Sequence, residues 1–423
     1  MEKILVIGHG GREMALVKAF LRSPSVSGVI CARGSDGIAE LCPCFDIAED
    51  DFTALIELTR HEQISLVVVG PEQPLAAGIS DAFANAGIDI FAPTQAAARI
   101  ESSKAYAKKL MQRVGIPSAA CQIFQDKASA LSYVEQAAYP LVLKEDGLRG
   151  GKGVRICFSV HEALAHLEDL RVDKDNRLVA EQFLEGFEFS LIVLADGTRT
   201  LPLPLAQDHK AIGDGNKGPN TGGMGAVSPV PRVSEELQRL CLQKIIEPVL
   251  KGLVEEGHPF RGFLYAGLMM TAEGPEVIEF NARLGDPEAE VILPRLRGDL
   301  AQAIRHLING ASPEPLPVCK ESCLGVVLAA PGYPEKLTGS PLLPPGLMEE
   351  VRKSDDLDFI HMGSKKISEK QWQAAGGRVC LVSASAPDIP SCRERLYGLL
   401  DRALPPDGGF TFRRDIGNYA EKN

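Results

Sequence analysis

The sequence predicts a multidomain α/β protein that opens on a parallel β-sheet, and three observations carry that expectation. Short continuous apolar runs alternate with helical stretches through residues 1–100, the pattern of parallel strands covered on both faces. From residue 103 to about residue 295 the texture changes to hairpin signals, glycine-rich loops and one long helix. Pro313, Pro315 and Pro317 then mark a boundary before a smaller α/β unit. At roughly 100–200 residues per domain, 423 residues suggest two to four domains.

The elements follow in order. Ile4–Ile7 is an apolar strand, followed by glycines and a helix from about Glu13 to Leu21. Val26–Cys31 and Leu66–Val69 read as the next strands. Ligands in such sheets bind at the carboxyl ends of strands, where two loops stand out: Gly8-His9-Gly10-Gly11-Arg12-Glu13 and Gly70-Pro71-Glu72. A helix then carries Lys104, Lys108 and Lys109. Pro140–Lys144 and Val154–Phe158 are strands on either side of a glycine-rich loop. A helix at about Val160–Leu170 leads to strand Leu178–Gln182. Phe189–Leu194 and Arg199–Leu203 bracket Ala195-Asp196-Gly197-Thr198, a hairpin turn signal. A long helix spans about Ser234–Glu256, and strands Gly262–Met270 and Pro275–Asn281 follow. Beyond the prolines come strands Cys323–Ala330 and Gly377–Ser383 and a last helix at about Ser391–Arg402.

The formal net charge is -11. An acidic surface repels a phosphate backbone, so nucleic acid is excluded as a partner, while a local basic pocket for a small phosphate ligand is allowed. No stretch approaches the ~20 apolar residues that span a bilayer, and the first residues read as a strand, so no membrane association and a cytoplasmic location are expected. The 10 cysteines are scattered. Cys42-Pro43-Cys44 and the Cys319/Cys323 pair lack zinc spacing, so reduced, mostly buried thiols are expected.

The first glycine loop fails as a dinucleotide fingerprint. Glu13 stands where a third glycine is required, and the second strand ends at Cys31-Ala32 without an acidic residue for a ribose. It still presents backbone N–H groups at a helix N-terminus, which favours an anion, and Arg12 can add a bidentate phosphate contact. A tight turn with a solvated Arg12 fits the same residues. Asp146-Gly147-Leu148-Arg149-Gly150-Gly151-Lys152-Gly153 is not a P-loop, since it leads into a strand. It suits either a lid over a triphosphate, with Lys152 and Lys144 reaching the phosphates, or a mobile surface hairpin. Glu181–Glu188 suits backbone contacts to an adenine and a carboxylate, Glu188, for ribose hydroxyls, or an ordinary charged turn.

Glu279, Asn281 and Arg283 alternate along one strand and so share a face. One carboxylate and one amide oxygen make a sparse magnesium site that substrate phosphates and waters can complete. Arg283 beside it can stabilise charge on a transferring phosphoryl group. A solvated polar strand face fits too. In Gly218–Gly225 successive glycine N–H groups can form an anion nest. His209 before it can be a base, although a single histidine is more often structural. No Ser-His-Asp or Cys-His arrangement is evident. The inventory points to phosphate binding.

These residues resemble the phosphoribosylamine–glycine ligase family of ATP-grasp enzymes. The resemblance runs from Gly8-His9-Gly10-Gly11-Arg12-Glu13 to Arg414-Asp415-Ile416-Gly417 and rests most heavily on Asn220-Thr221-Gly222-Gly223-Met224-Gly225. Gly285-Asp286-Pro287-Glu288, Pro331-Gly332-Tyr333-Pro334 and Gly376-Gly377-Arg378-Val379 belong to the same pattern. It implies a Rossmann-like open-sheet domain at 1–102 and a two-lobed ATP-grasp domain at 103–318, with its lid at about 121–188. A small C-terminal α/β domain follows at 319–423.

It implies ATP-dependent joining of glycine to 5-phosphoribosylamine through glycyl phosphate, with Mg2+ or Mn2+. Transient contact with the enzyme that makes phosphoribosylamine is implied as well. Lys104, Lys144, Gly147, Gly150, Gly151, Lys152, Gly153, Glu181, Phe183, Leu184 and Glu188 are implied to bind ATP. Glu279 and Asn281 are implied to hold the metal. Gly10, Gly11, Arg12, Glu13, Glu72, Gly222, Gly223, Met224 and Gly225 are implied to meet the substrates, and Asp208, Lys210, Arg283 and Asp286 to line the reaction centre. The same motifs are compatible with a sibling ligase for another acid or amine, or with a non-catalytic nucleotide-binding paralogue. The chain departs from the family pattern at Met14, Glu145, Arg149, Asn216 and Glu290. Glu145, next to Lys144 on a strand, is expected to face away from the nucleotide.

Overall fold

The computed structural model describes residues 1–150, 153–404 and 409–418. Its first sheet is parallel throughout. Strand Glu2–Gly8 lies at its centre, flanked by Val26–Arg33 and Leu66–Val69, with the short strands Cys44–Phe45 and Ile90–Phe91 at the edges. Ile4, Leu5, Val6 and Ile7 are fully buried, because helices cover both faces of the sheet. Helix Gly11–Leu21 starts directly at the carboxyl end of the central strand. The Gly70-Pro71-Glu72 loop starts at the same end of the next strand.

Two antiparallel four-stranded sheets follow. One joins Cys121–Phe124, Leu178–Gln182, Leu141–Glu145 and Val154–Cys157. It packs with helices Lys127–Val134 and Val160–Asp169 around a separate small core that includes Leu141, Leu143 and Leu178. The other joins Arg199–Pro202, Phe187–Asp196, Arg261–Thr271 and Gly274–Asn281. The expected Ala195–Thr198 turn closes its hairpin, with Asp196 paired to Arg199 in register. The long helix is present from Glu235 to Glu255, with a wider π turn at Leu242–Ile246.

The last large sheet is antiparallel, in the order Gln207–Asp208, Gly225–Ser228, Ser322–Ala329, Arg378–Ala386, Leu357–His361. Two of its strands thus come from the middle of the chain. Glycine-rich sequence hides Gly225–Ser228 as a strand, yet glycine is required there: a side chain at Gly225 would lie 2.5 Å from the Gly325 carbonyl of the neighbouring strand. Helix Ile389–Ala403 covers one face of this sheet. No helix among the described residues is long and apolar enough to cross a membrane. Seven of the ten cysteines are buried and three are partly exposed.

Candidate active site

The sheets meet around one cavity of about 520 Å³. Its walls come from the carboxyl end of the parallel sheet (Arg12, Glu72), both four-stranded sheets (Lys144, Glu181, Glu279, Asn281), the 208–222 segment and Arg378 of the last sheet. Helix Lys104–Val114 faces it with Lys104 and Lys108, four residues apart and so on one side of the helix. Ser103 caps that helix by accepting from Tyr106 N at 3.1 Å.

At one end of the cavity, Glu181 is 3% exposed and accepts from two lysines, Lys144 at 3.0 Å and Lys108 at 3.1 Å. Burial pushes the Lys108 ammonium down from its ordinary value while Glu181 opposes that shift. The trio carries a net positive charge, suited to an anionic ligand. Lys104 donates to Gly147 O at 2.9 Å, at the base of the glycine loop. Asp146 anchors the same base by accepting from Ala105 N at 3.2 Å and pairing with Arg177 at 2.7 Å. Gly147, Gly150, Gly153, Phe183, Leu184 and Glu188 line the cavity, and Glu188 pairs with Lys210 at 2.9 Å. Gly151 and Lys152 lie outside the described residues.

At the centre, Glu279, Asn281 and Arg283 all face the cavity. Burial alone would raise the Glu279 carboxyl, but Lys210, Lys144, Lys104 and Arg283 outweigh it and hold the group below the usual carboxylate range. Arg283 reaches the Asn281 amide oxygen at 3.4 Å, Glu101 at 3.1 Å and Glu72 at 3.5 Å. Glu101 also accepts from Ala282 N at 2.7 Å, which fixes the strand end that carries Arg283. An ionised carboxylate and an amide oxygen side by side are hard donors that fit Mg2+ or Mn2+. Among the described residues there is no cluster of three or more His, Cys, Asp or Glu that could hold an ion.

The third region lies between the parallel sheet and the last sheet. Arg12 is 7% exposed, not solvated, and bonds Glu13 at 2.6 Å and Leu284 O at 3.3 Å. Burial would lower its pKa, but Glu13, Asp286 and Glu72 raise it. Arg378 donates to Gly222 O at 2.6 Å and to Asp286 O at 2.9 Å, and pairs with the Asp286 carboxylate at 2.9 Å. Tyr265 and Glu288 line the floor, tied at 2.8 Å with Ser190 bonding both. Burial, then Glu288, pushes the Asp208 carboxyl well above its ordinary value, and Lys210 opposes this.

Several expected contacts lie behind the wall instead. Glu13 does not line the cavity. It accepts from Gly10 N at 2.6 Å and packs where side chains at Gly8 and Gly70 would stand, so it braces both loops. Gly10 and Gly11 also sit outside the lining. The nest expected at Gly218–Gly225 does not form. Thr221 N bonds Lys210 O, Gly222 N bonds the Tyr333 hydroxyl, Gly223 N bonds Thr221 Oγ1 and Met224 N bonds His209 O. Only Gly222 of the Gly222–Gly225 set reaches the cavity, while Gly223, Met224 and Gly225 support the fold. His209 is outside as well, and burial and then Arg413 push its pKa to about 4.

Lys108, Glu101, Tyr265, Glu288 and Arg378 were not assigned roles from sequence. The i, i+4 spacing from Lys104 could have found Lys108. Glu288 and Arg378 lie inside motifs already quoted, Tyr265 lies inside the family-like run Gly262-Phe263-Leu264-Tyr265-Ala266-Gly267-Leu268, and Glu101 carries no local signal.

Four of the five departures have partners within the chain, and among the described residues the Glu290 carboxylate has none. Glu145 and Arg149 pair with each other at 3.2 Å, and of the two only Arg149 lines the cavity. Asn216 accepts from buried Arg413 at 2.9 Å. Met14 is buried and accepts from His361 N. Glu290 is fully buried against Gly11.

Three family models cover the chain: phosphoribosylglycinamide synthetase N domain at residues 2–101, its ATP-grasp (A) domain at 102–289 and its C domain at 323–419. Among curated relatives, a phosphoribosylamine–glycine ligase of Listeria innocua is 43% identical over 99% of this chain and all of its own length. One of Lactococcus lactis is 42% identical over the same shares. The crystal structure of phosphoribosylamine–glycine ligase from Thermotoga maritima superposes with a TM-score of 0.82 at 28% identity, covering 98% of this chain and 100% of that one. An N5-carboxyaminoimidazole synthase from Aspergillus clavatus, 16% identical over 95% of this chain and 98% of its own with a TM-score of 0.67, shares the fold. Family models that match residues 2–289 and 323–419, and relatives matched over their full length, agree with the cavity where four sheets converge: this chain belongs to the phosphoribosylglycinamide synthetase family.

Proposed function

We propose that the chain joins glycine to 5-phosphoribosylamine at the expense of ATP, forming glycinamide ribonucleotide, ADP and phosphate through glycyl phosphate. The observation that carries this reading is the single cavity uniting a lysine-lined nucleotide end, a Glu279–Asn281–Arg283 centre and an Arg12–Arg378 end. A free carboxylate is a poor acyl donor, and transfer of the γ-phosphoryl group of ATP to it creates a good leaving group. Catalysis of that kind is mainly positioning and charge neutralisation.

Residues divide along the cavity. Lys104, Lys144, Glu181, Phe183, Leu184 and Glu188 receive the nucleotide, with Gly147–Gly153 as the lid that keeps water from the acyl phosphate. Glu279 and Asn281 would hold Mg2+ or Mn2+, which, when bound, offsets charge on the phosphates. Arg283, clamped by Glu72 and Glu101, and Lys210 place positive charge beside the transferring group. Arg12, Glu72 and Gly222 meet the ribosyl phosphate amine. Asp286, paired with Arg378, is the carboxylate available to receive the amine proton. Burial and Glu288 favour the neutral form of Asp208, so it is suited to donating a hydrogen bond to bound substrate rather than to taking up the amine proton. We assign binding of the ribosyl amine substrate to residues 1–102, nucleotide handling to 103–318 and closure of the amine end to 319–423, in a cytoplasmic enzyme that receives its amine substrate from the enzyme that makes it.

The test is phosphate release from Mg-ATP with glycine and with phosphoribosylamine generated in place, followed by product mass. Release that needs both co-substrates and yields the glycinamide ribonucleotide mass is expected. Nucleotide binding without turnover for any acid or amine would overturn the assignment.

A further inference from the structure

Outside the cavity, three thiols converge at the edge of the parallel sheet. Cys31 on strand Val26–Arg33 and Cys44 on strand Cys44–Phe45 are partners in parallel register. Register-paired residues point to the same face, and neighbouring strands lie about 4.8 Å apart. That separation falls inside the Cα–Cα range of disulfides, roughly 4.4–6.8 Å. Cys42 joins them two residues before Cys44. Cys31 and Cys42 are buried, whereas Cys44 is partly exposed. Gly34 leaves the room Cys44 occupies, since a side chain there would come within 2.6 Å of the Cys44 sulfur.

The cluster touches the substrate end of the molecule. The Cys31 thiol donates to Gly8 O at 3.3 Å, and Gly34 N donates to the same oxygen at 2.9 Å. Gly8 opens the Gly8–Arg12 loop.

We propose that Cys44 and Cys31 form a thiol modification site that closes to a disulfide on reaction with a small-molecule disulfide and thereby loosens the glycine loop. The exposed sulfur attacks first, because access favours it. Cys44 thiolate attacks one sulfur of the oxidant, forming a mixed disulfide and expelling one thiolate. Cys31 then loses its proton and attacks the Cys44 sulfur, expelling the second. The protein dithiol is oxidised by two electrons and the oxidant is reduced to two thiols. Cys31 no longer has a hydrogen to give to Gly8 O, so the loop loses one of two bonds that hold its first carbonyl.

The test treats the intact chain with oxidised glutathione, blocks remaining thiols at low pH and maps tryptic peptides. A cross-link between peptide 23–33 and peptide 34–60 that persists in Cys42→Ser and disappears in Cys44→Ser is expected. Glutathione left on Cys44 alone, a Cys42–Cys44 loop within one peptide, or no reaction would overturn the assignment, and the wild-type map needs no variant to fold. The kinetic consequence rests on the proposed function and is read separately. KM for the ribosyl amine should rise about two- to tenfold, the worth of one hydrogen bond. KM for ATP should hold, and dithiothreitol should reverse the change. A cross-linked enzyme with unchanged amine KM would overturn the coupling to the loop and leave both the ligase reading and the cross-link standing.

Discussion

Two residues at the centre of the molecule lead to different experiments. Arg283 sits between Glu72 and Glu101 beside the proposed metal ligands, where its charge is best used as negative charge develops on a transferring group. Arg283→Ala is expected to lower kcat by about 10²–10³ with little change in KM for ATP; steady-state kinetics with ATP varied checks it, and a change confined to KM would count against a role in the reacting step. Glu290 concerns stability. It is fully buried, neither carboxylate oxygen has a hydrogen-bond partner among the described residues, and burial followed by Asp286 raises its pKa well above the ordinary value. The native state therefore keeps a proton that the unfolded chain releases above about pH 4.3. Its contribution is full below that pH and is lost as pH rises toward the raised native value, by at most about 1.4 kcal/mol per pH unit. Glu290→Gln removes this dependence, so the variant should melt like wild type near pH 4 and above it at pH 8. Thermal melts across that range decide, and parallel pH curves would show that Glu290 is already ionised. Sequence made the Glu279–Asn281–Arg283 face legible because side chains alternate along a strand. Glu101 was not legible, because its partner lies 182 residues away, a subtraction of 101 from 283 that no local pattern encodes.

Elements were legible where their hydrophobic period was long or their turn chemistry strong. The central strand, helix Gly11–Leu21, the Ala195–Thr198 hairpin and helix Lys104–Val114 all follow from such signals. Two-residue edge strands such as Cys44–Phe45 and Ile90–Phe91 are too short to show a period, and Gly225–Ser228 is masked by its glycines. The glycine loop after strand Leu141–Glu145 shows how an element absorbs unusual residues. Glu145 and Arg149 are bonded across its base, and Arg149 lies where a side chain at Gly153 would collide with it. The pair is part-exposed, with side chains 27% and 41% accessible, so it is worth about 0.2–1 kcal/mol after solvent screening. In a double-mutant cycle of Glu145→Ala and Arg149→Ala, denaturant melts should give a coupling below about 1 kcal/mol. The ATP KM should move more in Arg149→Ala than in Glu145→Ala, since only Arg149 faces the cavity. Equal KM effects would mean that the pair acts on the lid as a unit.

At the scale of the whole molecule, linear domain order and physical construction diverge. A boundary near Pro313–Pro317 is legible from proline clustering, but the sheet beyond it is completed by Gln207–Asp208 and Gly225–Ser228. Strand pairing between residues about 100 positions apart is set by register in the folded state, which composition does not reveal. The consequence is mechanical. Strand Gly225–Ser228 pairs with Ser322–Ala329 along its full length, Gly225 with Val326 through Ser228 with Cys323. The segment that carries Asp208 and Lys210 is further tied to the C-terminal region by Arg413, which bonds Ala211 O at 3.2 Å, and by Asp415, which accepts from Gly215 N at 2.8 Å. Arg378 closes the same region over Gly222 and Asp286. A chain ending at residue 318 would leave the edge of Gly225–Ser228 unpaired, an aggregation-prone arrangement, and would release the Asp208–Lys210 segment from its outer support. The parallel sheet, whose strands all lie before residue 92, keeps its own partners. Amide hydrogen exchange on the truncated chain should therefore show protection retained in Glu2–Gly8 and Leu66–Val69 and lost across residues 207–228, with ligase turnover abolished. Protection preserved across 207–228 without the last sheet would mean that the reaction centre is organised by the nucleotide-binding sheets alone, and that the C-terminal residues act only by contacting substrate.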